Sequence, residues 1–124
     1  MLLELFDCDP DAINSLDIVK TSMVEAARRA RATIIDVVFH EFNPFGISGV
    51  VVIAESHLAI HTWPEYRYAA VDVFSCGETL QPQVAVDYLL EQFGAARASV
   101  VELQRGVFLQ ARNSTFHKPV AVQG

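Results

Sequence analysis

The stretch Ser48-Gly49-Val50-Val51-Val52-Ile53-Ala54-Glu55-Ser56-His57-Leu58-Ala59-Ile60-His61-Thr62-Trp63-Pro64-Glu65 decides how this chain is read. Its two apolar arms, residues 48–54 and 58–63, read as short strands. Between the arms sit Glu55-Ser56-His57, and after them Pro64-Glu65-Tyr66-Arg67 turns the chain. A hydroxyl, two imidazoles, two carboxylates and an indole are thus set into an apolar, β-rich frame. Thirteen residues past Trp63 comes a thiol, Cys76.

Working outward, residues 2–6 read as a strand that Asp7-Cys8-Asp9-Pro10-Asp11 breaks with turn residues. A helix is expected from residue 15 or 17 to Arg31, with Ile18, Val19, Met23, Ala26, Ala27 and Ala30 on the 3.6 period. Residues 33–42 are β-branched-rich and end at the turn Asn43-Pro44-Phe45-Gly46. Residues 68–75 read as a further strand. A second helix fits residues 82–93, with Val84, Val86, Leu89, Leu90 and Phe93 inward and Gly94 as its stop. Residues 98–103 form a last strand, and the tail from Gln104 carries no clear pattern. Helices separated by hairpin-like strands predict an α+β fold. It is a two-layer α/β sandwich, with a mostly antiparallel sheet and two helices on one face. Apolar residues at successive strand positions leave the other face in need of cover, which a symmetric partner sheet supplies.

Composition bounds the function. The 124 residues suit one domain, 1–124, with no repeat or linker, and they are 52% hydrophobic, enough for an unstapled core. The net charge is -6, and Arg28-Arg29-Ala30-Arg31 fits a helix C-terminus, where cations suit the dipole. Nucleic acid is therefore not an expected partner. No apolar run is long enough to span a bilayer, and no signal peptide is visible. Two cysteines, Cys8 and Cys76, read as free thiols in a reducing, cytoplasmic setting.

Each polar residue has a plain reading beside a chemical one. Ser56 alone is a turn serine. Flanked by Glu55 and His57 in an apolar stretch, it is also a hydroxyl able to attack a neighbouring peptide carbonyl, given strain and a proton shuttle such as His61. His57 and His61 lie four apart and share a strand face, which suits a two-His metal site, but no third ligand is evident and no metal is expected. A Ser-His-Asp triad lacks its Gly-x-Ser-x-Gly elbow. Cys76 is a small buried hydrophobe or a thiol at a strand end. Phe42 and Trp63 are core aromatics or the walls of a pocket for a flat ring. Glu65 is a solvated turn residue or a carboxylate for sugar hydroxyls.

The run from Ser48 to Glu65, followed by Tyr68-Ala69-Ala70-Val71-Asp72-Val73-Phe74-Ser75-Cys76-Gly77, closely resembles the prokaryotic S-adenosylmethionine decarboxylase proenzymes of the short pyruvoyl-dependent type. The resemblance extends from Leu2-Leu3-Glu4-Leu5-Phe6-Asp7-Cys8-Asp9 to about Arg105-Gly106. It implies self-cleavage between Glu55 and Ser56, with Ser48 and His61 (proton acceptor) serving that processing. Ser56 becomes a covalent pyruvoyl group that forms a Schiff base with the substrate amine and acts as electron sink. It implies Cys76 as the proton donor in turnover, Phe42 and Trp63 around the adenine, and Glu65 on the ribose. The product would be the aminopropyl donor for spermidine biosynthesis, and the active form a homodimer of processed protomers joined through their sheets. Relatives begin several residues earlier, which implies a shortened first strand here. On the same scaffold stand two alternatives, an arginine or ornithine decarboxylase and an unprocessed, non-catalytic binding or regulatory homologue.

Overall fold

The computed structural model describes residues 1–75 and 80–105. The described residues hold six strands: β1 (Leu2–Phe6), β2 (Ile34–Glu41), β3 (Ile47–Ile53), β4 (Ser56–Trp63), β5 (Tyr68–Ser75) and β6 (Arg97–Val101). They form one antiparallel sheet in the order β2-β3-β4-β5-β1-β6. From one edge, β2 to β5 make a meander, and β1 inserts between β5 and β6. The first strand is five residues long and pairs with β5 over four of them and with β6 over all five, and the Met1 ammonium donates to the Val73 carbonyl at 2.7 Å.

Three helices pack on one face: α1 (Pro10–Ile13), α2 (Leu16–Arg29) and α3 (Pro82–Gln92). The sequence reading expected two. Asp9-Pro10-Asp11 carries turn signals that are also helix-start signals: the Asp9 carboxylate accepts from Asp11 N at 3.0 Å and Pro10 opens the helix. Ser15 caps α2 in the same way, accepting from Ile18 N at 3.2 Å. Ala26, Ala27 and Ala30 of α2 and Ala85 of α3 are buried, and their small side chains let the helices lie close to each other and to the sheet. Ile18 and Val84, expected inward, are 42% and 38% exposed. On α3 the buried stripe is Ala85, Val86, Leu89 and, just past the helix end, Phe93; Val86, Leu89 and Phe93 are as expected, Ala85 stands in for Val84, and Leu90 is half-buried against the core.

Both long helices end with the same backbone motif. At α3, Ala95 N donates to Leu90 O and Gly94 N to Glu91 O, with Gly94 left-handed at φ 63°. At α2, Ala32 N donates to Ala27 O and Arg31 N to Arg28 O, but the left-handed residue is Arg31, φ 68°. Gly49 has a packing reason to be glycine, because a Cβ there would lie 2.0 Å from the Phe39 ring on the paired strand.

Strand alternation divides the sheet. Leu3, Leu5, Val51, Leu58, Ile60 and Val71 face the helices and are buried. The opposite face has no helix over it among the described residues, and Leu2, Val38 and Val101 on it are exposed, Val38 by 56%. No helix among the described residues is long and apolar enough to cross a membrane.

Candidate active site

The open face is organised in cross-strand rows. One runs His40, Ser48, His61, Ala70, Glu4, Ser99 from β2 to β6. In it the Ser48 hydroxyl and His61 Nδ1 are 2.7 Å apart, as directly opposed residues of an antiparallel pair permit. The next row toward the strand end is aromatic. Trp63 stacks on Tyr68 (5.3 Å, 30°), Tyr68 on Phe6 (5.6 Å, 29°), and the Arg97 guanidinium sits 5.0 Å from the Phe6 ring. The Tyr68 hydroxyl donates to the Glu4 carboxylate. Burial, then that hydrogen bond, push the phenol up to about 12.

Phe42 follows β2 at this same end. Its N–H donates to Gly46 O at 2.8 Å, closing the turn, and its ring meets His40 at 4.6 Å. Phe42 and Trp63 are 48% and 40% exposed, large rings with faces still available to a ligand. Glu65 is exposed on the 3₁₀ turn Pro64–Tyr66 that follows Trp63. Thr62, between His61 and Trp63, points the other way: it donates to Ile13 O at 2.8 Å and accepts from Ile47 N at 2.9 Å. The strand end that carries the candidate rings is thereby tied to α1.

At the opposite end of β4 the register pair Ile53↔Ser56 leaves Ala54-Glu55 as a two-residue turn. Ser56 is 6% exposed and falls, by alternation, with Leu58, Ile60 and Thr62 on the helix side. Its φ of 158° is close to fully extended, so the turn offers no argument from left-handed strain. Within one chain Ser56 and His61 are not brought together. They are five residues apart, about 17 Å along an extended strand, and on opposite faces. Ser75 is the register partner of Ser56; Cys76, next in sequence, lies outside the described residues.

The family model for S-adenosylmethionine decarboxylase matches residues 1–106. The chain belongs to the S-adenosylmethionine decarboxylase family. It is 56% identical over 118 residues to the S-adenosylmethionine decarboxylase proenzyme of Thermodesulfovibrio yellowstonii, covering 95% of this chain and 87% of that protein. To the proenzyme of Acidithiobacillus ferrooxidans it is 53% identical over 106 residues, 86% of this chain and 80% of the relative. The crystal structure of the adenosylmethionine decarboxylase of Aquifex aeolicus superposes with a TM-score of 0.74 at 33% identity, covering 85% of this chain and 92% of that one.

Some polar residues of this family member were not singled out from sequence. Asp72 faces His57 across the open face, with Oδ2 3.3 Å from His57 Nε2, and Phe74 meets the same imidazole edge-on at 5.5 Å. The available signal was one carboxylate inside the otherwise apolar strand 68–75. Tyr68 had a similar one, a polar group at an outward position of its strand; the family resemblance carries its partner Glu4 over, weakly, as an active-site carboxylate. Thr33 had none.

Proposed function

We propose that the chain cuts itself between Glu55 and Ser56 and uses the resulting pyruvoyl group to decarboxylate S-adenosylmethionine. The carboxy-lyase activity follows from family membership, and the relatives are named as proenzymes. The observation that carries the cleavage is the place of the Glu55–Ser56 bond. It joins a two-residue turn to β4, and β4 is hydrogen-bonded to β3 and β5 along its length. Cutting there removes one connection and leaves both fragments in the sheet, with position 56 at a strand start.

The cleavage needs only groups of the chain and water. Ser56 Oγ attacks the Glu55 carbonyl carbon. The amide C–N bond is replaced by a C–O ester, and the Ser56 nitrogen takes up the hydroxyl proton. Loss of the Ser56 α-proton expels Glu55 as a carboxylate and leaves a dehydroalanine. Its hydrolysis consumes one water, releases ammonia and leaves a ketone beside the carbonyl of residue 56. That ketone supplies the electron sink for carbon dioxide loss.

An imidazole has to carry protons in this sequence, and we assign His61, held by Ser48. Because His61 lies at the far end of its own β4, we assign it to the Ser56 of a second protomer, whose hydroxyl has to turn from the helix side toward the open face at the strand start to meet it. Two sheets packed through their open faces, with strands running oppositely, bring one chain's Trp63 end toward the other's Ser56 end. The exposed Leu2, Val38 and Val101 support that packing. Phe42 and Trp63 take the adenine between their rings, Glu65 accepts from the ribose hydroxyls, and aromatic faces suit the cationic sulfonium. Cys76 Sγ returns a proton to the substrate carbon that loses carbon dioxide. The cytoplasm is the compartment we assign.

Denaturing mass measurement of the purified protein tests the reading. Fragments of residues 1–55 and 56–124 are expected, the second lacking a free α-amine. Labelled carbon dioxide should then be released from S-adenosylmethionine in preference to arginine or ornithine. A single intact chain after long incubation overturns the proposal.

A further inference from the structure

Thr33 connects the end of α2 to the start of β2, and three hydrogen bonds tie it to the turn that precedes Ser56. Ala54 N donates to Thr33 O at 2.8 Å. Thr33 N donates to Glu55 Oε1 at 3.1 Å, and Thr33 Oγ1 to Glu55 Oε2 at 3.4 Å. The residue doing the holding is itself held. Ala32 N is bonded to Ala27 O at 3.0 Å, Arg31 is locked left-handed, and Gln81 N donates to Ala30 O at 2.9 Å. The scissile turn is therefore braced against the exit of the longest helix, 22 residues away in sequence.

We infer that Thr33 is a positioning residue for self-cleavage, acting through the Glu55 side chain; the inference rests on the self-cleavage reading above. A two-residue turn at a hairpin tip is free to rock about its strands. Rocking moves the Glu55 carbonyl carbon relative to the attacking hydroxyl, and small misplacements of reacting atoms cost rate. Anchoring the Ala54 N–H and the Glu55 carboxylate, the two groups just before that carbonyl in the chain, limits this freedom before reaction. It also gives a reason for glutamate at the position. The carboxylate accepts from a backbone N–H, a charge-assisted bond, and a side chain one methylene shorter would not span to Thr33 with the backbone where it is. After cleavage the same bonds keep the new chain end of Glu55 docked beside β2.

The test measures the self-cleavage rate constant of freshly translated full-length chain by denaturing mass analysis. Both groups are solvent-accessible, so the effects are moderate. Glu55→Ala should cut about 10-fold more slowly, with Glu55→Gln recovering most of the rate, because the amide oxygen still accepts from Thr33 N. Thr33→Val should cut about 3-fold more slowly and Thr33→Ser close to wild type. The double variant Thr33→Val/Glu55→Ala should be no slower than Glu55→Ala alone, since both act through one link. Two readouts separate positioning from general destabilisation. Once cut, Thr33→Val should show wild-type kcat for decarboxylation. In the uncleavable Ser56→Ala background, Thr33→Val should leave the melting temperature where it was. Additive slowing in the double variant, or a fall in melting temperature with Thr33→Val, overturns the inference. A wild type that stays intact overturns both this and the self-cleavage reading. A wild type that cuts, beside Glu55→Ala and Thr33→Val chains that cut equally fast, overturns this inference alone.

Discussion

At the Trp63 end of β4 stacked rings hold one another, while at the Ser56 end hydrogen bonds to the α2–β2 connection hold the turn. Trp63, Tyr68, Phe6 and Arg97 form a continuous stack across three strands and into β6, and Ser48 fixes His61 beside it. The Ser56 end has a two-residue turn, a buried hydroxyl and a brace of hydrogen bonds to Thr33. A binding surface gains from rings whose planes are set in advance, because little conformational entropy is left to lose when a ligand arrives. A bond that must break gains from a frame that does not move while it breaks. On the function proposed above the two ends suit two tasks, recognition and processing, and Ser56 and Trp63 are kept about 24 Å apart by seven residues of extended chain.

The largest expected effect breaks the comparison at its Ser56 end. Ser56→Ala should abolish cleavage and decarboxylation altogether, leaving one intact mass, while the near-ultraviolet dichroism of the stacked Trp63–Tyr68 pair stays as in wild type. Loss of that signal would show the two ends to be one cooperative unit. The next tests whether the ends meet across a dimer. His61→Ala alone should slow cleavage by about 10²–10⁴-fold. Co-expressed with the uncuttable Ser56→Ala chain, which still carries His61, the His61→Ala chain should be cut again. If it stays uncut in the mixed dimer, His61 does not serve a partner.

Third in size is the recognition end. Trp63→Ala should weaken use of S-adenosylmethionine by about 5–150-fold, from roughly 1–3 kcal/mol of base–aromatic stacking at 1.4 kcal/mol per decade. Self-cleavage should survive, since the indole neither attacks the Glu55 carbonyl nor carries a proton in that step. A cleavage defect of similar size would dissolve the division of labour.

A smaller effect concerns Tyr68. Burial and the bond to Glu4 favour the neutral phenol, raising it from 10 to about 12. A group raised on folding contributes stability that is fully present below the unfolded value of 10 and is lost as pH climbs toward 12. Relative to Tyr68→Phe, the wild type should hold its urea midpoint up to about pH 10 and lose ground above it. A constant difference across that window would remove the Tyr68–Glu4 link. The smallest effect is at the brace. Arg31→Gly places at α2 the residue that ends α3, relieving a left-handed non-glycine cost of roughly 1–2 kcal/mol, partly offset by glycine's extra chain entropy. A rise of a few degrees in melting temperature should follow. No rise would mean that the Arg31 side chain contributes as much as its backbone costs.

Period-2 alternation and turn residues placed all six strands within one or two residues, because those signals are local and the β-branched runs are long. The hairpin around Glu55-Ser56 was legible for the same reason, as was the placing of Phe42 and Trp63 beside turns; its register was not, because Ser56 and His57, expected between the strands, belong to β4 and leave Ala54-Glu55 as the turn. The short helix at Pro10 was not, since Asp-Pro-Asp serves a turn and a helix start equally well. On α3 the inward Val86, Leu89 and Phe93 were legible, but Ala85 takes the position expected for Val84. A small residue carries little periodic signal, yet it is what lets a helix approach closely.

What the sequence by itself determined is chemistry and local order: a serine after a glutamate in a tight turn, histidines four apart on one strand face, and a family motif long enough to name the reaction. What only the tertiary structure decided is which of those groups meet. Ser48 with His61, Asp72 with His57, Glu4 with Tyr68 and Thr33 with Glu55 are separated by 13, 15, 64 and 22 residues. Their meetings depend on strand register and on where a helix ends. The same cause separates Ser56 from His61. Neighbours in sequence, they are driven apart by an extended chain that adds about 3.4 Å per residue and turns successive side chains to opposite faces.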